Sequence, residues 1–132
     1  MTLKFMLDTD TVSFALRGFG GVGERLLEQT PSEVCISAIT LAELRYGADH
    51  RGSRKLHGII DAFVSGVMVV PFEEAAAARF GSVGATLVRE GTPIGDFDAM
   101  IAAHALALDV TLVTNDTKHF SRVHGLRIDN WV

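Results

Sequence analysis

The chain contains one cysteine, Cys35, and no apolar run that approaches the ~20 residues of a membrane span. A lone cysteine excludes an internal disulfide and fits a reducing compartment, so the expectation is a cytoplasmic protein without a membrane partner. The N-terminus has no charged n-region and no cleavage site, and Leu3 to Leu7 therefore reads as a strand rather than a secretion signal. Repeats, low-complexity tracts and linkers are missing too, so the expectation is a single domain over 1–132. Neither His50 and His57 nor His119 and His124 have a zinc-site spacing such as HExxH, and His104 reads as a packing or surface residue. The glycines from Gly18 to Gly23 follow no strand, which makes them a poor phosphate-binding loop. There is no excess of positive charge: 16 acids against 12 bases give a net charge of −4. That argues only weakly against a nucleic-acid partner, because a basic footprint can be local. Two local basic groups exist, Arg45, Arg51, Arg54 and Lys55, then Lys118 and Arg122.

What the chain does have is alternating strand and helix signals. Leu3 to Leu7, Val34 to Ser37, Val67 to Val70 and Thr111 to Thr114 are short apolar runs bounded by turn formers, and Leu126 to Val132 can hold a short fifth strand. Helices are expected over Thr11 to Arg17, Glu24 to Gln29, Ala38 to Asp49, Glu73 to Glu90, and from Asp96 or Asp98 to about Asp109. Leu56, Ile59, Ile60, Phe63 and Val64 recur at helical spacing and form an amphipathic helix that faces either the core or a partner. Strands separated by helices imply a mainly parallel sheet covered on both faces, a three-layer α/β/α fold.

Four acids stand out because each follows, or lies within, an apolar segment. Asp8 ends the first strand, Glu43 lies in the run from Ile36 to Leu44, Asp98 opens an alanine-rich helix, and Asp116 closes the fourth strand segment. Sites on open parallel sheets lie beyond the carboxyl ends of the strands, which is where Asp8 and Asp116 fall. Each acid also has an ordinary use. Asp8, Asp96, Asp98 and Asp116 can cap helices or turns, and Glu43 can sit on a helix border. Together they are harder to dismiss, because gathered carboxylates repel by ~1 to ~4 kcal/mol per pair at ~4 Å. Protonation, a basic partner or a metal would relieve that repulsion, and an all-oxygen set favours Mg2+ or Mn2+ over zinc.

The segments Met6-Leu7-Asp8-Thr9-Asp10, Ser37-Ala38-Ile39-Thr40-Leu41-Ala42-Glu43-Leu44-Arg45-Tyr46-Gly47, Pro93-Ile94-Gly95-Asp96-Phe97-Asp98-Ala99-Met100-Ile101-Ala102-Ala103-His104-Ala105 and Leu112-Val113-Thr114-Asn115-Asp116 resemble the PIN-domain ribonucleases of the VapC type, toxins of bacterial toxin–antitoxin pairs. They occur in the family's order nearly end to end and include the closing Gly125 to Trp131. The departures are Asp10, where asparagine is common, and Asp96, an added acid. The resemblance implies a PIN-like fold and Mg2+-dependent cleavage of RNA, often a tRNA, with Mn2+ as a substitute ion. It also implies a homodimer and neutralisation by a cognate VapB-type antitoxin. On this reading Asp8 and Asp98 are direct metal ligands, and Glu43 and Asp116 are further ligands, direct or through water. Thr9, Asp96, Thr114 and Asn115 support them, and Arg45, Arg51, Lys118 and Arg122 form an RNA-binding rim.

Two rival readings follow from the same residues. An apolar strand followed by Asp8, Asp10 and Thr11 imitates the opening of a haloacid-dehalogenase-like phosphatase, but the later acids come in the wrong order. A non-catalytic PIN-fold binding module would have no reason to keep a repelling cluster.

Overall fold

The computed structural model describes residues 2–132. The short apolar runs form five strands: β1 (Phe5–Leu7), β2 (Val34–Ser37), β3 (Met68–Val70), β4 (Thr111–Val113) and β5 (Ile128–Asp129). They lie in the order β3-β2-β1-β4-β5, and all pairings are parallel. In register, Leu7 sits between Ile36 and Val113, and Met6 between Cys35 and Leu112.

Side chains alternate across a strand, so these two rows enter different cores. Met6, Cys35 and Leu112 pack with Ile101, Ala102, Ala105 and Phe120 on one face. That face is covered by α5 (Glu74–Arg89), α6 (Asp96–Leu108) and α7 (Thr117–Phe120). Leu7, Ile36 and Val113 pack with Val12, Val22, Leu44 and Ile60 on the other. There the cover is α1 (Thr9–Leu16), α2 (Val22–Leu27), α3 (Ala38–His50) and α4 (Arg54–Val64). The result is the expected three-layer α/β/α arrangement, with every central strand buried on both sides.

The expected elements are all present, with shifted ends. α1 starts at Thr9 because the Asp8 side chain accepts from Thr11 N and caps it. Of the expected fifth strand only Ile128–Asp129 pairs, and Trp131 then turns inward against Phe5, edge to face at 5.1 Å. Of the apolar stripe of α4, Ile60 is fully buried and Leu56, Phe63 and Val64 pack against the core while partly buried, in keeping with the core-facing reading of that helix. No helix of the described residues is long and apolar enough to cross a membrane.

The α6 helix separates burial from exposure within one turn. Ile101 is fully buried, whereas Phe97 is 55% exposed. Ile101→Ala is expected to cost about 2–5 kcal/mol and Phe97→Ala to stay within about 0.5 kcal/mol, as read by urea denaturation at fixed pH. Equal losses at both positions would contradict the burial pattern.

Candidate metal centre

The strand order creates the site. From β1 the chain moves to β2 and β3 on one side, and β4 returns on the other, so a crevice opens above the carboxyl ends of β1 and β4. Asp8 leaves β1 at that point, its backbone N–H donating to the Val113 carbonyl at 3.0 Å. Its carboxylate is 3% exposed and accepts from Thr11 N at 2.8 Å and from Thr114 Oγ1 at 2.6 Å. Asp116 follows β4 and caps α7, accepting from the His119 N–H and lying 2.7 Å from His119 Nδ1. Glu43 arrives on α3 after β2, and Thr9 Oγ1 donates to it at 2.6 Å.

Asp98 comes from the opposite layer, in the first turn of α6. The loop before it turns at Gly95, whose φ of 96° favours glycine and lets the chain enter the helix there. Gly95, rather than Asp96 or Asp98, is the N-cap, and neither acid makes a capping bond, which corrects that alternative. Asp98 is therefore free of the ordinary use that sequence allowed it. Asp8 and Asp116 do cap helices, so for them the ordinary use that the sequence allowed is realised.

Asp98 is the electrostatic centre of the group. Burial, and after it the charges of Glu43, Asp8, Asp10 and Asp116 in that order, together push its carboxyl up to about 6. Burial likewise raises Asp8, opposed by hydrogen bonds from Thr114 and Thr11, with Asp10 adding to the rise. Among the described residues no lysine or arginine is ion-paired with Asp8, Glu43, Asp98 or Asp116, and the one ion pair in the group is His119 with Asp116. The acids surround Asp98 without closing on it: among the described residues, no three His, Cys, Asp or Glu side chains reach the spacing of a finished cation cage. Asp8, Glu43 and Asp116 are each held in place by a hydroxyl or imidazole partner. The donor chemistry fits a hard divalent cation, being carboxylate oxygen that no lysine or arginine among the described residues ion-pairs.

The supporting residues divide. Thr9 and Thr114 each hold a carboxylate, and Thr114 also accepts from the Asp116 N–H at 2.9 Å. Asn115 instead accepts from Asn130 Nδ2, and Asp96 lines an apolar cleft with Phe80, Val88 and Pro93. Asp10, left open by the sequence, belongs to the ring around Asp98. The basic rim divides as well. Arg45 is committed to Asp61 and to His57 on α4 and so is not a free cation, whereas Arg122 donates to the neutral Pro93 carbonyl and keeps its charge unpaired among the described residues. Among the described residues, Arg51 and Lys118 carry no ion pair.

Sequence reading missed Arg17, which lines a groove with Thr9, Asp10, Glu43 and Arg51. Its position two helical turns after Asp10 was the available signal. Cys35 is inert core, its thiol pushed up to about 12 by burial.

Three comparisons bear on this site. The family model for the PIN domain matches residues 6–126. The chain is 40% identical to the tRNA(fMet)-specific endonuclease VapC of Shigella flexneri over 131 residues, covering 98% of both chains. It is 36% identical to ribonuclease VapC2 of Haemophilus influenzae, covering 98% of this chain and 99% of the relative. The crystal structure of DNA-bound VapBC from Salmonella typhimurium contains a chain that superposes with a TM-score of 0.93 at 38% identity, covering 99% of this chain and all of that one.

The raised Asp98 carboxyl fixes a sign for stability without metal. An acid whose folded-state pKa is raised contributes stability below its ordinary value of 3.8, and that contribution is lost as pH rises through about 6. Asp98→Asn is therefore expected to be more stable than the parent in EDTA at pH 7.5 by about 1–2 kcal/mol, after discounting for partial exposure. The difference should vanish near pH 3.5. Urea denaturation across that range measures it, and a variant less stable at pH 7.5 would contradict the electrostatic reading.

Proposed function

The chain belongs to the PIN-domain family, among its VapC ribonucleases, and we propose that it is the Mg2+-dependent endoribonuclease toxin of a VapBC toxin–antitoxin pair, acting on a tRNA in the cytoplasm. The observation that supports this reading is the group of carboxylates acting on Asp98 near the strand ends, none of them ion-paired with a lysine or arginine among the described residues. The Shigella relative's substrate is the reason for choosing tRNA, and the Salmonella complex is the reason for a VapB-type antitoxin as partner. A homodimer remains part of the proposal. Membership of the PIN family removes the phosphatase alternative, whose motif order already failed.

Asp8 and Asp98 would hold the cation directly, with Glu43 and Asp116 as further ligands, and Mn2+ would serve in place of Mg2+. A cation bound there supplies the acidity that activates water and the positive charge that offsets charge developing on a phosphodiester. The protein's own part is orientation. Thr114 and the α1 N-terminus fix both oxygens of Asp8, so that carboxylate cannot rotate away. Thr9 fixes Glu43 in the same manner from the neighbouring helix. Asp116 shares its carboxylate with His119, which keeps it at the rim of the crevice. Arg51 and Lys118 flank the acids and would meet phosphates on either side of the bond to be cut. Asn115 and Asp96 carry smaller roles at the edges of the site, and Asp10 adds charge within it.

Asp8→Asn and Asp98→Asn are each expected to lower RNA cleavage by at least about 100-fold, more than the loss of a supporting residue causes, while circular dichroism stays unchanged. EDTA should abolish the parent's activity, and Mg2+ or Mn2+ should restore it. Expression in a bacterial host with 5′-end mapping should reveal one dominant cut in a tRNA, absent with Asp98→Asn. Full Mg2+-dependent cleavage by either variant would overturn the ligand assignment. Arg51→Glu should raise KM several-fold and flatten the salt dependence by about one ion, with kcat little changed.

A further inference from the structure

One polar residue in the core has no part in the scheme above. His104 is 2% exposed on α6, among Ile101, Ala102, Ala103 and Ala105, all fully buried. Its Nδ1 lies 2.8 Å from Ser37 Oγ, itself fully buried. Ser37 is the last residue of β2 and the N-cap of α3, where its Oγ accepts from the Ile39 N–H at 3.0 Å. With that oxygen already accepting, the Ser37 hydroxyl hydrogen is free to donate to Nδ1. The Pro71 backbone, just after β3, offers the ring a further hydrogen-bond acceptor. Burial lowers the imidazole pKa, which matches a neutral ring that accepts at one nitrogen and donates at the other. Phe72 covers the ring edge on at 5.3 Å.

This bridge crosses layers. α6 covers one face of the sheet and α3 leaves β2 on the other, and the two helices pack together near the carboxyl edge. α6 carries Asp98 and α3 carries Glu43. The relative placement of the two helices therefore sets how far apart these carboxylates stand. Apolar packing is non-directional and by itself fixes rotation and slide poorly. A buried hydrogen bond between the helices is directional, and an imidazole in hydrocarbon is costly unless both nitrogens are satisfied.

We propose that His104 is a positioning residue: its neutral Nδ1 on Ser37 fixes α6 against the start of α3 and thereby sets the separation of Asp98 and Glu43. This rests on the two acids sharing a cation, as in the function proposed above. Asn offers an acceptor near the place of Nδ1, and Leu fills similar volume with no acceptor.

The test compares the parent, His104→Leu and His104→Asn by calorimetric titration of Mn2+ in the absence of RNA, followed by Mg2+-dependent cleavage. His104→Leu is expected to bind Mn2+ about 10- to 100-fold more weakly, the range for residues behind a ligand, with kcat reduced and KM for RNA unchanged. His104→Asn should recover most of that loss. In the metal-free parent, 15N spectra of His104 should display the neutral tautomer with the hydrogen on Nε2 at pH 7, and amide exchange at Ile39 should accelerate in His104→Leu alone. Unchanged Mn2+ affinity in His104→Leu, equal damage in both variants, or a hydrogen on Nδ1 would each overturn the proposal. Should the parent bind Mn2+ but cut no RNA, the proposed function fails while the Mn2+ series and the metal-free spectra still decide the role of His104.

Discussion

Repulsion among carboxylates at the carboxyl edge of a parallel sheet is the constraint to which the rest of this molecule answers. Asp8 lies in the floor of the crevice with both oxygens hydrogen-bonded, which is how a buried charge becomes tolerable. Asp98 stands beside it with no such donor among the described residues and with four acids acting on it. The fold brings these groups from three separate strand ends and from both helical layers. Local violations of the rules of burial are expected where a site must exist, with the stability supplied elsewhere. Here it comes from two continuous cores, one on each face of the sheet, and both run up to the strand ends that carry the acids.

Most of this architecture was legible in the chain. Val34 to Ser37 is a strand from end to end, and the helices at Ala38 and Asp96 begin where the apolar periodicity and the acidic residues put them. The reason is physical: in a parallel sheet each strand is a short unbroken apolar run and each helix is amphipathic, so the two signals rarely mix. The ends were less legible because they depend on capping bonds. Asp8 extends α1 to Thr9 through a side-chain bond, which composition alone does not reveal. The site was legible as a list of residues, since acids within apolar segments are anomalous in any context. Its internal wiring was not. Nothing local links Thr114 to Asp8 or Thr9 to Glu43, because those bonds join residues more than thirty positions apart and exist only once the strands pair. Arg45 was hidden for a related reason: its partner Asp61 sits on the following helix and meets it only when the two helices pack.

The distribution of positive charge explains how an acidic protein can present a surface to RNA. Lys4, Arg25, Arg45 and Arg127 are all matched with acids, so their fields are largely cancelled at short range. Arg51 lies instead at the end of α3, two turns beyond Glu43, and Lys118 stands just past Asp116. Charges left unmatched near the crevice act over about one Debye length, roughly 8 Å at physiological salt, which is close to the spacing of neighbouring phosphates. The net charge of −4 is thus a poor guide to the local field, because part of the acidic excess is the ring itself. A cation held in that ring would cancel its repulsion of the polyanion at the place where the strand must approach most closely. The acids whose mutual repulsion destabilises the crevice would then hold the cation that lets RNA approach, and the flanking cations would only need to set the register of a chain already drawn to the site.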